Sequence, residues 1–246
     1  VYNSNGYLYR YDLKSEKVEQ IETGFATNNN NDHVFSFDES ILGISHHNQE
    51  DDGVSSLYIM DPAGDTFPQK ITKDGVGASY LHGISPDNKT LLFTGERKGK
   101  MDIYSIDIDN KKETQLTDTD YLDDGSEYSP DGKYIYFNSN RKDKMHLWRM
   151  KPDGSEQEQL TFDPNHNDWF PHVSPDGKWI AFISFPPEID SGEHPFYQRC
   201  LIRLMPVDGG EPKVIAYIYG GQGSINVPSW SSDSKHIAFV TNTACN

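Results

Sequence analysis

One five-residue turn recurs along this chain and constrains its fold more than any other feature. Three copies are nearly identical: Ser85-Pro86-Asp87-Asn88-Lys89, Ser129-Pro130-Asp131-Gly132-Lys133 and Ser174-Pro175-Asp176-Gly177-Lys178. Two degenerate copies keep the outline, Ser36-Phe37-Asp38-Glu39-Ser40 and Ser231-Ser232-Asp233-Ser234-Lys235. The serines are 49, 44, 45 and 57 residues apart. Pro presets φ at the first corner, Asp accepts from nearby backbone N–H groups, and Gly takes the backbone conformation that other residues avoid.

A strand pattern follows each turn, as in Thr90–Thr94, Tyr134–Asn138 and Trp179–Ile183. A third strand comes next, at Leu57–Met60, Asp102–Ile106 and His146–Met150. A fourth is marked by Gln115-Leu116-Thr117 and Gln159-Leu160-Thr161. Four short strands per ~45 residues is a propeller blade, and a sandwich predicts no such period. Helical periodicity is absent, and 20 Gly with 14 Pro suit a chain of many turns. The fold class is therefore all-β, a β-propeller of four-stranded antiparallel blades.

The repeat divides the 246 residues into one propeller domain with blades at about 32–72, 77–117, 122–161 and 167–216. Residues 1–22 read as the second, third and fourth strands of a further blade, and 227–246 as a first and second strand. If the two terminal pieces complete one blade, the ring has five. Six is favoured for the natural protein, because closure would duplicate a second strand. The chain lacks an initiating Met and opens at Val1 in a strand, which implies an upstream segment; no signal peptide is visible.

With 22 basic and 38 acidic residues the net charge is −16, which repels phosphate backbones and excludes nucleic acid as the expected partner. No window reaches the ~18 apolar residues that a spanning helix needs. Cys200 lies in an apolar run and reads as a buried strand thiol, Cys245 lies at the tail, and two cysteines make no disulfide framework. Trp148, Trp179 and Trp230 lie within strand patterns and read as core.

The repeats resemble the TolB-like, WD40-like (PD40) propeller family, whose repeat reads Pro-x-Trp-Ser-Pro-Asp-Gly-Lys. Pro228-Ser229-Trp230-Ser231 is similar to its opening, and the Ser-Pro-Asp-Gly-Lys copies to its turn. Asp123–Tyr128, Trp148–Gly154 and Gly220–Gly223 look like a bacterial extracytoplasmic subgroup. The resemblance implies a periplasmic or secreted protein that acts through contacts with other proteins. Oligogalacturonate lyases are similar in architecture and hold a divalent metal on histidines above the channel; their ligand set does not align here residue by residue.

In such a fold the first strand of each blade lines the central channel. Three positions before each repeat serine stand His33, His82, Ser126, Pro171 and Pro228, and two before it stand Val34, Gly83, Glu127, His172 and Ser229. His33, His82, Glu127 and His172 thus form a candidate set for a divalent metal of unassigned identity, since imidazoles and a carboxylate suit first-row ions and zinc. The same set could instead supply a general base and its orienting acid, with His82 and His172 as catalytic candidates. Arg97 and Arg141 occupy matching positions in adjacent blades and can fork a carboxylate, as of a uronide. His47, Asp124, Trp169, His194, Gln222 and Asn226 fall in loops expected at the same face and are candidate ligand contacts, Trp169 as a sugar-stacking ring or as core. The Asp-rich stretches lack EF-hand spacing, and no phosphate loop or GxSxG elbow occurs.

Two functions compete on these residues. The first is a propeller that binds a ligand or protein partner at a polar, His-rich channel mouth. The second is a metal-assisted, uronide-lyase-like enzyme acting on an acidic oligosaccharide with the channel-mouth His and Arg side chains.

Overall fold

The computed structural model describes residues 1–64 and 66–242; Cys245 lies outside them. Among the described residues nineteen strands form five antiparallel sheets. The N-terminal sheet has three strands, β1 (Tyr2–Ser4), β2 (Tyr7–Tyr11) and β3 (Val18–Ile21). Blade one comprises β4 (Asn29–Phe35), β5 (Leu42–Asn48), β6 (Val54–Met60) and β7 (Gln69–Lys70). Blade two comprises β8 (Ser79–Ile84), β9 (Thr90–Arg97), β10 (Lys100–Asp107) and β11 (Glu113–Gln115). Blade three comprises β12 (Asp123–Tyr128), β13 (Ile135–Lys142), β14 (Lys144–Met150) and β15 (Glu158–Gln159). Blade four comprises β16 (Asn167–Val173), β17 (Trp179–Phe185), β18 (Gln198–Pro206) and β19 (Lys213–Gly220). Beyond it the expected strand pair is reduced to a single bridge, Trp230 to Ile237. The fourth strands of blades two and three are shorter than expected and lie just ahead of the Leu-Thr pairs that mark them.

The repeat turn works as its chemistry predicts. In all five copies the serine hydroxyl donates to the carboxylate two residues on, at 2.7 Å. That carboxylate also accepts the backbone N–H two residues further along, so the turn closes on one side chain. The bonds hold these aspartates below their ordinary pKa; Asp131 falls to about 2, its Lys133 and Ser129 partners leading. The fourth position has positive φ whether it is Gly132, Gly177, Asn88, Glu39 or Ser234, so the carboxylate and not glycine defines the turn.

Alternation in each strand sends one set of side chains to the preceding blade and the other to the next. The core is correspondingly a series of seams. Leu8 and Ile21 meet Leu42, Ile44 and Tyr58; Val34 and Leu57 meet Leu81, Leu91 and Phe93; Leu92 and Ile103 meet Phe137 and Trp148. Tyr136 and Leu147 meet Ile180, Phe182 and Met205, and Ile183 and Ile202 meet Trp230 and Ile237. Cys200 is buried as expected, and burial pushes its thiol up to about 12. Trp148 is core and Trp230 half-buried, but Trp179 is 39% exposed. It opens β17 opposite Pro206, at the turn end of the blade, so the expectation that it is core fails there.

Candidate functional site: a buried ionic cluster on the inner strands

Each inner strand carries a register shift, at Asn29/His33 in β4, Leu81/Gly83 in β8, Asp124/Glu127 in β12 and Trp169/His172 in β16. A bulge bends a strand and re-aims its side chains. In β12 the bulge needs Gly125: its φ is +65°, and a Cβ there would lie 2.4 Å from Asn138 Oδ1. The Gly125 N–H donates to Asp124 Oδ1 at 2.8 Å, fixing the carboxylate.

Asp124 gathers donors from two blades. Thr94 Oγ1 of β9 donates to its Oδ1 at 2.6 Å, and His82 Nε2 of β8 lies 3.0 Å from the same oxygen. Asp32 of β4 feels the charges of both His82 and Asp124, and Asn226 Nδ2 donates to its Oδ1 at 3.0 Å. Asp32, His82, Asp124 and Asn226 therefore come from blade one, blade two, blade three and the segment after blade four, and all are buried. Tyr80 is half-buried, and its phenol is raised by burial and by Asp32, Glu96 and Asp124.

Charge decides the chemistry here. Burial opposes ionisation of Asp32, whose pKa rises to about 6 despite the opposing pull of His82. Burial also opposes ionisation of Asp124, but the charge and bond of His82, with His194 and the Thr94 hydroxyl, hold it well below the usual carboxylate range. For His82, burial would depress the imidazole; the bond to Asp124 and the charges of Asp124, Asp32 and Glu127 outweigh that and raise it. Two carboxylates thus face one imidazole, and both favour its protonated form. The arrangement can take a hydrogen-bond donor or a positive group, or exchange a proton between His82 and a bound molecule.

His172 and Glu127 form a second buried pair of different character. His172 Nδ1 lies 2.7 Å from Glu127 Oε2, and its Nε2 lies 2.7 Å from Ile225 O. Glu127 Oε1 accepts the Val173 N–H. Every strong hydrogen-bonding atom of this pair is engaged, and burial raises Glu127 above its ordinary pKa.

The structure divides the expected metal set. His82 belongs to the Asp124 cluster, and Glu127 and His172 bond each other. His33 lines a cavity of about 600 Å3 with turn residues Ser36, Glu39, Pro175 and Ser232. Burial lowers His33 to about 4. Among the described residues no group of three His, Cys, Asp or Glu side chains is arranged to hold an ion. The arginines do fork carboxylates, but the chain's own. Arg97 clasps both oxygens of Glu113 and lies over Phe93 and Tyr104. Arg141 Nη2 lies 2.8 Å from both oxygens of Asp123, and its guanidinium lies over Phe137 and Trp148. Neither is available to a uronide, and they tie strand ends together instead.

The remaining candidates separate in the same way. Trp169 is fully buried, so it is core and no sugar platform. His194 reaches inward onto the Trp169 ring at 4.4 Å; burial lowers its pKa, and its Nδ1 has no partner among the described residues. His47 Nδ1 meets Gly53 O at 2.9 Å. Gln222 contributes its backbone N–H to Pro195 O. Asp32 was not legible among the candidates; its signal was a position four before Ser36, directly ahead of His33. Thr94 gave no signal at all.

Comparison with known proteins agrees with this architecture. The PD40 family description, TolB beta propeller domain, matches residues 77–187. An uncharacterized protein of Agrobacterium fabrum is 42% identical over 97% of this chain and 79% of its own length. The solved structure of a protein assigned as TolB from Agrobacterium tumefaciens superposes with a TM-score of 0.91 at 40% identity, covering 99% of this chain and 85% of that one. TolB from Acinetobacter baumannii gives a TM-score of 0.70 at 21% identity, over 93% of this chain and 52% of that one, which shows the fold alone. The likeness to the two Agrobacterium proteins covers 97% and 99% of the chain, and the chain belongs to the TolB-like β-propeller family of PD40 repeats.

Proposed function

We propose that this chain is a binding propeller that receives a ligand or a segment of a partner protein at the polar mouth of its central channel, outside the cytoplasm. No described helix is long and apolar enough to cross a membrane. The observation that carries the reading is the Asp32–His82–Asp124–Asn226 cluster, in which four separate segments converge on one buried ionic site. Buried charge is expensive unless compensated, and here the negative charge exceeds the positive. A partner bringing N–H donors or positive charge would supply that compensation. The acidic oligosaccharide suggested by Arg97 and Arg141 loses its support, because both forks are filled.

The test is capture from a cell-envelope extract by the wild-type chain and by the His82→Ala/Asp124→Asn double variant, followed by direct titration of the captured molecule. At least a ~10-fold weaker Kd for the variant, about 1.4 kcal/mol, is the expected result. Equal affinity of a folded variant would place the contact elsewhere and overturn the reading.

A further inference from the structure

Six carboxylates are buried among the described residues, and the partners of their oxygens separate them. Asp102 holds Thr117 and Thr119 on Oδ1 and Gln115 on Oδ2. Asp123 gives both oxygens to Arg141, and Glu127 gives one to His172 and one to the Val173 N–H. Asp168 Oδ2 has no partner among the described residues, but Asp168 is 0% exposed, so nothing reaches it from solvent.

Asp32 and Asp124 differ from all of these. Every donor to Asp124, from Thr94, His82 and the Gly125 N–H, meets Oδ1. Asn226 likewise meets Oδ1 of Asp32. Among the described residues nothing donates to Oδ2 of either aspartate. Both keep an edge in solvent, at 7% and 8% exposure. A carboxylate oxygen taken this far out of water is costly without a donor. Each of these aspartates thus offers one open acceptor towards the channel.

The neighbouring groups are fixed and do not turn to cover them. His82 commits Nε2 to Asp124 and stacks on Phe170, with ring centroids 6.0 Å apart. Phe170 itself is pinned: its N–H donates to Asn138 Oδ1 at 3.0 Å, and its φ is +55°, a backbone state that a bulky residue keeps only where its surroundings impose it. Tyr80, half-buried, is the aromatic ring nearest solvent that feels both Asp32 and Asp124.

The number of open oxygens selects the donor. Where this chain holds a guanidinium, both oxygens of one carboxylate face it, as with Arg141 on Asp123 and Arg97 on Glu113. That fork needs two free oxygens on the same group. Asp32 and Asp124 have one each. An ammonium is a point charge with three splayed donors, and it can serve two carboxylates with one bond apiece. Since so little of either aspartate meets solvent, the charge has to arrive on a slim stem. We propose that Asp32 Oδ2 and Asp124 Oδ2 together receive a primary ammonium on an unbranched alkyl stem, that of a lysine side chain, with Tyr80 beside the stem. This assignment rests on the binding role proposed above and gives its partner a chemistry.

The test titrates the 15N-labelled chain with Nα-acetyl-lysinamide and reads two signals. One is the Gly125 N–H, bonded to Asp124, and the other is the Asn226 side-chain amide, bonded to Asp32. Saturable shifts of both are expected, with a Kd of ~1–10 mM, weakened at least ~10-fold in Asp32→Asn and in Asp124→Asn. Nα-acetyl-argininamide should bind at least ~5-fold more weakly, for want of a carboxylate with two free oxygens. The same spectra show whether each variant folds; Asp32→Asn keeps an acceptor for Asn226 and carries the test if Asp124→Asn does not fold. Absence of saturable shifts up to ~50 mM overturns the proposal. So does an Asp32→Asn chain that binds as wild type does. Equal affinity for the arginine probe removes the ammonium, and equal affinity for alaninamide assigns the oxygens to a chain N-terminus instead. Calcium chloride that moves both signals at ~1 mM assigns them to a metal and also overturns it. Failure of the binding reading looks different. A captured molecule that needs His82 and Asp124, beside a lysine probe that does not bind, sinks the ammonium alone. A captured molecule indifferent to His82 and Asp124 sinks the reading and the ammonium with it.

Discussion

His172–Glu127 and His82–Asp124 are built from the same two groups, a buried imidazole and a buried carboxylate, on neighbouring inner strands. They differ in what is left over. The first pair spends its ring nitrogens on Glu127 and Ile225 O and its second carboxylate oxygen on Val173 N–H, riveting blade three, blade four and the segment that follows. The second pair shares its surroundings with a further carboxylate, Asp32, and a tyrosine, so one imidazole serves two carboxylates. A saturated pair serves architecture and an unsaturated one can serve binding; residue type does not distinguish them.

The sharpest way to break this comparison is Glu127→Ala. It strands an imidazole and a backbone N–H in the interior. Removing one partner of a buried pair typically costs ~3–5 kcal/mol. At ~2–4 °C per kcal/mol for a chain of this size, Tm should fall by ~6–20 °C in a calorimetric scan. A drop of only ~2 °C would show that the pair is not a rivet.

Asp32→Asn should do the reverse. The folded pKa of Asp32, about 6, lies above its ordinary value of 3.8. The wild-type chain therefore gains from protonating this group, a gain complete below pH ~4 and lost as pH rises through ~6, with a ceiling of about 3 kcal/mol. Asparagine cannot ionise and can still accept the Asn226 bond. The variant should match wild type near pH 4 and exceed it by ~2 kcal/mol above pH 7, in urea unfolding at several pH values. An equal pH dependence in both chains would remove Asp32 from the ionic cluster. A stabilised variant with weakened partner binding would mark the cluster as a site that trades stability for function.

The turns show why so much of the fold was legible. Ser85–Lys89 and its relatives close on their own side chains, so each turn is specified locally, and the period between turns then fixes blade length. The ionic cluster on the inner strands lacks such local specification. His33 and His82 occupy the same repeat column, yet His33 faces a cavity beside the turns and His82 faces Asp124. The bulges decide which way each side chain points, and their positions differ by a residue or two between blades. Asp32, four positions before its serine, and Asp124, five before its own, converge only because of those shifts. Thr94 reaches Asp124 from a different blade, a contact that no spacing encodes.

The peripheral arginines extend the comparison to partly exposed pairs. Arg97 clasps Glu113 with two nitrogens, donates to Gly77 O, Ala78 O and Ser79 Oγ, and shields Phe93 and Tyr104. Glu113 keeps about a quarter of its side chain in solvent, so screening discounts the pair relative to the Glu127 rivet. Arg97→Lys keeps the charge but loses the fork and the planar stack, because an ammonium offers one point of contact where the guanidinium offers several. The expected cost is ~1–2 kcal/mol in urea unfolding, well below that of Glu127→Ala. Affinity at the channel mouth should stay unchanged, since every Arg97 donor is spent within blade two and the stretch leading into it. If the lysine variant loses mouth binding while keeping its stability, Arg97 is a ligand contact after all, and the division between architectural and binding pairs fails at the residue where the uronide reading began.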